Sequence, residues 1–191
     1  MSIDLLIGFT SGLVWIFPVL KQQKTRYFNY FFLLMLTSGS GVFLQLIHFY
    51  PTYFFPGFII LALATLIRNK LKFLFYALGI AALICVPVFN IPFYVFLWIS
   101  AATLMATFIL ILSDLLQTMA KTMSVNIFLV LLSLNALIEV LKFFDIALSL
   151  ENGSTYYTMG ELLSIVLAVV FCFININSKS FPIGIKAVEE E

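Results

Sequence analysis

Charged residues are scarce in this sequence. Asp, Glu, Lys and Arg together make up 10% of its 191 residues, whereas 63% of the residues are hydrophobic. Soluble domains carry about a quarter charged residues and about half apolar ones. The composition therefore argues against a water-soluble fold and predicts an all-α integral membrane protein.

The side chains that most often perform catalysis or hold metals are also few. The chain has one histidine and two cysteines, and these do not fall into a metal-ligand spacing. Cys85 and Cys172 belong to different predicted membrane depths, so we expect no disulfide between them. The net charge of +1 gives no support for nucleic-acid binding. We predict no catalytic residue, no metal site, no cofactor and no nucleic-acid partner.

Lysine and arginine cluster in alternate gaps between the apolar stretches. Cytoplasmic loops of membrane proteins are enriched in these residues, so the basic gaps are assigned to the inside. This assignment predicts seven transmembrane helices, with the N-terminus outside and the C-terminus cytoplasmic. The basic gaps hold Lys21, Lys24 and Arg26, then Arg68, Lys70 and Lys72, then Lys121, and finally Lys179 and Lys186. Lys142 is the remaining basic residue and lies inside a predicted span.

The predicted spans occupy most of the chain, because each needs about 20 residues. They are drawn at residues 3–20, 28–49, 52–67, 72–89, 91–115, 124–147 and 156–176. Residues 1–176 then form a single transmembrane domain in the lipid bilayer, and residues 177–191 form a short cytoplasmic tail. We assign the protein to the cell membrane, which would be the inner membrane in a bacterium.

A weak internal similarity links the beginning and the end of the chain. The segment from Lys24 to Phe31 and the segment from Lys121 to Phe128 share Lys, Thr, Asn and Phe at matched offsets. A parallel repeat would relate spans 1–3 to spans 5–7, with span 4 as a linker. In this 3+1+3 count and outside N-terminus the chain resembles the SWEET and PQ-loop sugar transporters, although it has no Pro-Gln pair. The alternative to an internal repeat is that the two apolar segments are similar by chance.

Polar and charged side chains line one face of the sixth predicted span. Asn135, Glu139, Lys142 and Asp145 follow at intervals of four, three and three residues, which places them on one side of a helix. Glu161 in the seventh span lies at about the depth of Phe144, within one turn of Lys142 and Asp145, if a short outer turn joins the two helices. Each ionisable group in the bilayer costs about 2.5 to 3.5 kcal/mol by insertion scales. We therefore predict a ligand- or ion-binding site at these five residues.

Two interpretations of this cluster stay open. In the functional one, three carboxylates around one ammonium leave uncompensated negative charge, and the site binds and transports a small solute or cation. In the structural one, a carboxylate neutralises Lys142 and holds the helices together. The protein would then be a non-catalytic subunit or signal-receiving module that acts through a partner membrane protein or as a homo-oligomer.

Small residues are concentrated in the middle of the second predicted span, in the segment Thr37-Ser38-Gly39-Ser40-Gly41. Such residues allow helix backbones to approach closely, and tight packing is the favoured interpretation. The alternative makes Ser38 and Ser40 part of a pocket wall beside the charged cluster. Elsewhere, we expect Asp114, near the inner end of the fifth span, to face cytoplasmic water.

Overall fold

The computed structural model describes residues 3–46, 54–89, 92–148, 153–177 and 180–182. These residues are almost entirely helical, which confirms the all-α class. The helices are α1 (Ile3–Val14), α2 (Ile16–Gln22), α3 (Phe28–Leu46), α4 (Phe55–Leu66), α5 (Leu71–Phe89), α6 (Phe93–Thr122), α7 (Ile127–Leu148) and α8 (Gly153–Phe171). Two short strands, β1 (Ser124–Asn126) and β2 (Ser180–Pro182), pair in antiparallel register. This pairing was not predicted, and it ties part of the tail to the loop between α6 and α7.

The first predicted span is broken into α1 and α2 at Trp15. Pro18 lacks a backbone N–H, and its ring crowds the carbonyl group one turn earlier in the helix. The next N–H, that of Val19, reaches the carbonyl oxygen of Trp15 at 3.5 Å, which is long for a helical hydrogen bond. The first span is therefore a pair of short helices rather than one continuous helix.

Several predicted helix ends differ from the observed ones. α6 continues to Thr122, past the predicted end at residue 115, and stops where Met123 adopts a left-handed conformation with φ 48°. α8 ends at Phe171, before the predicted end at residue 176. Apolar composition indicates which residues could lie in the hydrocarbon core of a membrane. The ends of a helix are set by its backbone hydrogen bonds, which need not stop where the apolar residues stop. The predicted boundaries at residues 49, 52 and 91, and tail residues 178–179 and 183–191, lie outside the described residues.

Six helices pack in a closed ring. Around this ring α1 contacts α3, α3 contacts α4, α4 contacts α6, α6 contacts α7, α7 contacts α8, and α8 returns to α1. The short α2 packs against α3 and α8. α5 packs along α4 and makes no comparable contact with any other described helix. The α4–α5 contact is close, because a Cβ atom on Gly57 would lie 3.0 Å from the carbonyl oxygen of Gly79.

Aromatic side chains fill the bundle interior towards one end. We call this group, formed by Trp15, Phe31, Phe128 and Phe171, the aromatic plug. Its ring centroids lie 5.1 to 6.4 Å apart, and the three phenylalanines are 0% exposed. The basic gap before α3 and the loop before α7 lie at the same end, so the aromatic plug closes the interior on the predicted inner side.

Two described segments are long and apolar enough to cross a membrane, Leu97–Thr122 and Ile127–Ile146. Helices of this composition occur in membrane spans and in the buried cores of soluble proteins alike. Other apolar helical segments are shorter, namely Phe55–Leu66, Leu71–Val86 and Thr158–Phe171. The seven-span count stays a prediction.

Candidate functional site

The predicted charged cluster lies where α7 packs against α8. The Lys142 Nζ atom donates to both carboxylate oxygens of Glu139, at 2.9 Å each, and to Oε1 of Glu161 at 2.5 Å. Glu139 is on the same helix as Lys142, whereas Glu161 comes from α8. One buried ammonium group thus joins two helices through two carboxylates.

Lys142 can reach Glu161 because α8 has a glycine at the crossing point. A Cβ atom on Gly160 would lie only 2.6 Å from Cγ and 2.7 Å from Cδ of Lys142. The lysine stem therefore lies directly across the bare backbone of α8. Gly160 was not among the predicted site residues, because the spacing of polar residues on one helix does not indicate where another helix crosses it.

A serine on α8 links the ion pair to the predicted polar contact. The Ser164 hydroxyl lies 3.3 Å from Oε1 of Glu139 and 3.4 Å from Oδ1 of Asn135, within hydrogen-bond distance of both. Asn135 is 0% exposed, and its Nδ2 atom has no hydrogen-bond partner. The structure thus brings Asn135, Glu139, Lys142 and Glu161 into one network, in which Ser164 was not foreseen.

Asp145 stands apart from this network although it lies on the same face of α7. The residue is 5% exposed, and neither of its carboxylate oxygens has a hydrogen-bond partner. A buried carboxylate without a partner has lost its hydration without replacement, which is energetically costly. The prediction that Asp145 belongs to the charged face holds in position, but the structure does not pair Asp145 with Lys142.

The carboxylates are more accessible than the ammonium between them. The side chain of Lys142 is 5% exposed, whereas those of Glu139 and Glu161 are 18% and 17% exposed. The cation is therefore enclosed, while the acidic groups still meet open space.

The small-residue segment of α3 packs against α1. A Cβ atom on Gly12 would lie 3.2 Å from the Cα atom of Gly39, so the two backbones cross in close contact. Ser40 donates to the carbonyl oxygen of Thr37 at 3.1 Å. Within the described residues, neither Ser38 nor Ser40 hydrogen bonds to the charged cluster. The tight-packing interpretation describes this segment, and the pocket-wall role stays a prediction.

α3 approaches the site through a different residue. Tyr30 is 2% exposed, and its hydroxyl lies close enough to Glu139 for the two groups to interact electrostatically. Sequence analysis did not single out Tyr30 as a site residue. The Tyr30 ring packs edge-on against Phe31, with ring centroids 5.9 Å apart, so Tyr30 lies beside the aromatic plug.

Asp114 is partly buried rather than facing open water, so the expectation for it was wrong. Its carboxylate accepts hydrogen bonds from Arg26 at 2.7 Å, from Arg68 at 2.5 Å and from the Tyr27 hydroxyl at 3.2 Å. Burial raises the pKa of Tyr27 to about 12, so this phenol is a neutral donor. We call these four residues the inner clasp. They join two of the predicted inner gaps to α6.

Comparisons of the chain with protein-family models, curated proteins and solved structures found no match. A functional conclusion therefore depends on the chemistry of the site itself.

Proposed function

We propose that the protein spans a membrane with seven helices and moves a small solute or cation through the charged site of α7 and α8, with α3 alongside. The observation that carries this proposal is the ammonium of Lys142, which is shared by Glu139 and Glu161 beside the unpartnered carboxylate of Asp145. Three acidic side chains and one basic side chain thus lie on α7 and α8 in a mostly apolar bundle. Such clusters within membrane helices are typical of substrate and ion pathways.

Exposed apolar side chains support a lipid environment. On α5, for example, Phe73 is 65% exposed, Ile84 61% and Val88 66%. Soluble monomers rarely leave large contiguous apolar patches in water. A bilayer around the ring would remove this cost. α6, with 30 residues, would be about 45 Å long, which matches a bilayer including its headgroup regions.

The inner clasp supports the predicted alternation of the gaps between the two sides of the membrane. Alternate gaps must lie on the same side if successive helices cross the membrane. Arg26 and Arg68 come from two different basic gaps, and both bond to Asp114. Their meeting at one carboxylate is what the predicted alternation requires.

The order of packing supports a repeat of three helices around a linker. If α1, α3 and α4 correspond to α6, α7 and α8, the contact of α1 with α8 corresponds to that of α6 with α4. The linker in this scheme is α5, which packs on the outside of the ring. Parallel repeats around a central site are one architecture of solute transporters.

The proposed mechanism is an exchange of partners at Lys142. A solute or cation that reaches Glu139 or Glu161 competes with the lysine for the same oxygens, and this weakens the ion pair between α7 and α8. A ligand can shift a conformational equilibrium only by binding one state more tightly than the other. Here the two states would differ in whether Lys142 bonds to Glu139 and Glu161. Release of the solute or cation to the inner side would require the aromatic plug to open.

The experiment that tests this function uses Glu139→Gln. The protein is reconstituted in liposomes, and flux of Na⁺, K⁺ and methylammonium, and of any solute that native mass spectrometry finds bound, is measured. We expect flux to fall about tenfold or more, because an amide cannot exchange one cation for another. Glu189→Gln, which removes a carboxylate in the tail, is the control. Unchanged flux in Glu139→Gln would contradict the carboxylate mechanism.

The alternative function is a membrane subunit that acts through a partner, with the Lys142–Glu161 ion pair as a purely structural tie between helices. Under this alternative, native mass spectrometry in mild detergent would show a stoichiometric partner protein or a homo-oligomer. Glu139→Gln would then lower expression or assembly, because the buried ammonium would lose a partner.

A further inference from the structure

Asp145 differs from every other acidic residue whose side chain the structure describes. Asp114 pairs with two arginines, and Glu139 and Glu161 both pair with Lys142. Asp145 is 5% exposed and has no hydrogen-bond partner on either oxygen. Asp145 therefore lacks the hydrogen-bonded counter-charge that the other described acids possess.

The neighbouring lysine does not supply that counter-charge through a hydrogen bond. Lys142 is one helical turn from Asp145, but its ammonium is directed to Glu139 and Glu161. The site therefore has three carboxylates against one ammonium, and Asp145 is the carboxylate to which the ammonium does not donate. An anion would be repelled here, and a neutral solute would leave the charge uncompensated.

We propose that the ligand of this site is a singly charged cation, an alkali ion or a small protonated amine, with Asp145 as its first ligand. This inference rests on the proposed function and narrows it to one class of substrate. The negative charge of Asp145 attracts the cation, and binding replaces the hydration that the carboxylate has lost. Glu161, whose side chain is 17% exposed, provides the next position.

The charge of the ion follows from the oxygens that are free. Ca²⁺ sites in proteins gather several carboxylate and carbonyl oxygens around the ion, and Mg²⁺ demands near-ideal octahedral geometry. Both oxygens of Glu139 are occupied by Lys142, and in the described ranges no three His, Cys, Asp or Glu side chains converge as a metal-binding group. Asp145 alone among the three carboxylates has no hydrogen bond, and one carboxylate matches one positive charge. At the other end of the site, the unpartnered Nδ2 of Asn135 offers a donor to water that a hydrated ion retains.

A tryptophan beside the site provides a direct readout of binding. Trp98 on α6 packs edge-on against Phe144, with ring centroids 5.9 Å apart, and Phe144 immediately precedes Asp145. The only other tryptophan in the sequence, Trp15, belongs to the aromatic plug. Occupation of Asp145 should therefore change the fluorescence of Trp98.

The test titrates the purified full-length protein in detergent with NaCl, KCl and methylammonium chloride. Ionic strength and chloride are kept constant with N-methyl-D-glucamine chloride, and both tryptophan fluorescence and melting temperature are recorded. We expect a saturable change with at least one of the three cations. In Asp145→Asn the apparent dissociation constant should rise about 30-fold or more, as when a buried charged pair loses one partner. Asp145→Glu should retain binding, and Glu189→Gln should match the wild type.

Asp145→Asn also has an expected effect without added cation. Its melting temperature should equal or exceed that of the wild type, because the amide removes an unpartnered buried charge. A lower melting temperature in cation-free buffer would overturn the claim that Asp145 lacks a partner. The inference would equally be overturned if none of the three cations gave a saturable change, or if Asp145→Asn bound them as the wild type does.

The result is separable from the flux experiment. Saturable binding that depends on Asp145 without flux would support the cation site and contradict the transport function. Flux of a neutral solute or an anion that is unaffected by Asp145→Asn would overturn the cation inference and leave transport standing.

Discussion

The arrangement of the site depends on one glycine as much as on its charged residues. Lys142 is on the face predicted from helical periodicity, but its partner on α8 is reachable only because Gly160 has no side chain. Periodicity places a residue on a face of its own helix. It carries no information about how closely the next helix approaches, and so Gly160 could not be recognised beforehand.

Gly160→Ala should therefore weaken the site without changing any charge. The added methyl group would meet the Lys142 stem at 2.6 Å, and overpacking of this kind typically costs about 1–3 kcal/mol. We expect a lower melting temperature and weaker cation binding, measured by unfolding and by Trp98 fluorescence.

Gly39→Ala is the matched control, because a Cβ atom there would meet nothing within 4 Å. Alanine favours helix over glycine by up to about 1 kcal/mol, so this variant should be as stable as the wild type or more stable. If Gly160→Ala behaved like Gly39→Ala, the close contact between Lys142 and α8 would be refuted.

At the scale of elements, the length of α6 explains the inner clasp. The sequence predicts a helix end near residue 115, which would put Asp114 at the water boundary. Instead α6 continues to Thr122, and Asp114 remains on the side of a helix where two loops cover it. The last turns of α6 contain polar residues, so their composition does not indicate a membrane-spanning segment. The helix continues there because its backbone hydrogen bonds continue.

Asp114→Asn should loosen the inner clasp. Its carboxylate is 15% exposed, while Arg26 and Arg68 are 41% and 61% exposed, so solvent screens part of the interaction. We expect a loss of about 1–2 kcal/mol in unfolding free energy, with a smaller loss at high salt. Thermal unfolding at low and high KCl measures both effects.

Arg68→Gln should cost less than Asp114→Asn, because the more exposed arginine leaves Arg26 and Tyr27 still bonded to Asp114. Equal stability of wild type and Asp114→Asn at low salt would show that the inner clasp contributes nothing to the fold.

At the scale of the whole molecule, the ring and the proposed orientation can be tested together. The native cysteines are replaced by serine, and single cysteines are introduced at Lys24, Asn69 and Lys121, which are exposed in the structure. All three belong to gaps assigned to the inside. A membrane-impermeant maleimide should label them only after the cells are permeabilised.

The control is Ser154→Cys, which lies in an outer gap by sequence and should be labelled in intact cells. Labelling of any of the three inner positions in intact cells would contradict the seven-span orientation. Labelling of only part of the set would identify which crossing is wrong.

The sequence by itself determined the features that are local. Its composition and the period of its apolar residues predict the all-α class, the approximate positions of the helices and the shared face of Asn135, Glu139, Lys142 and Asp145. These follow because a helix repeats every 3.6 residues whatever it packs against. Pro18 is an exception, because its effect on a helix is local and yet one continuous helix was predicted over residues 3–20, where the structure has α1 and α2.

Only the tertiary structure decided which groups are partners. It directs Lys142 to Glu139 and Glu161, leaves Asp145 without a hydrogen bond, and brings Arg26 and Arg68 to Asp114. It also closes six helices into a ring and pairs part of the tail with the loop before α7. Such contacts join residues far apart in the chain, and they depend on which helices are neighbours and how closely their backbones approach. The periodicity of a single segment predicts neither which helices are neighbours nor how closely they approach.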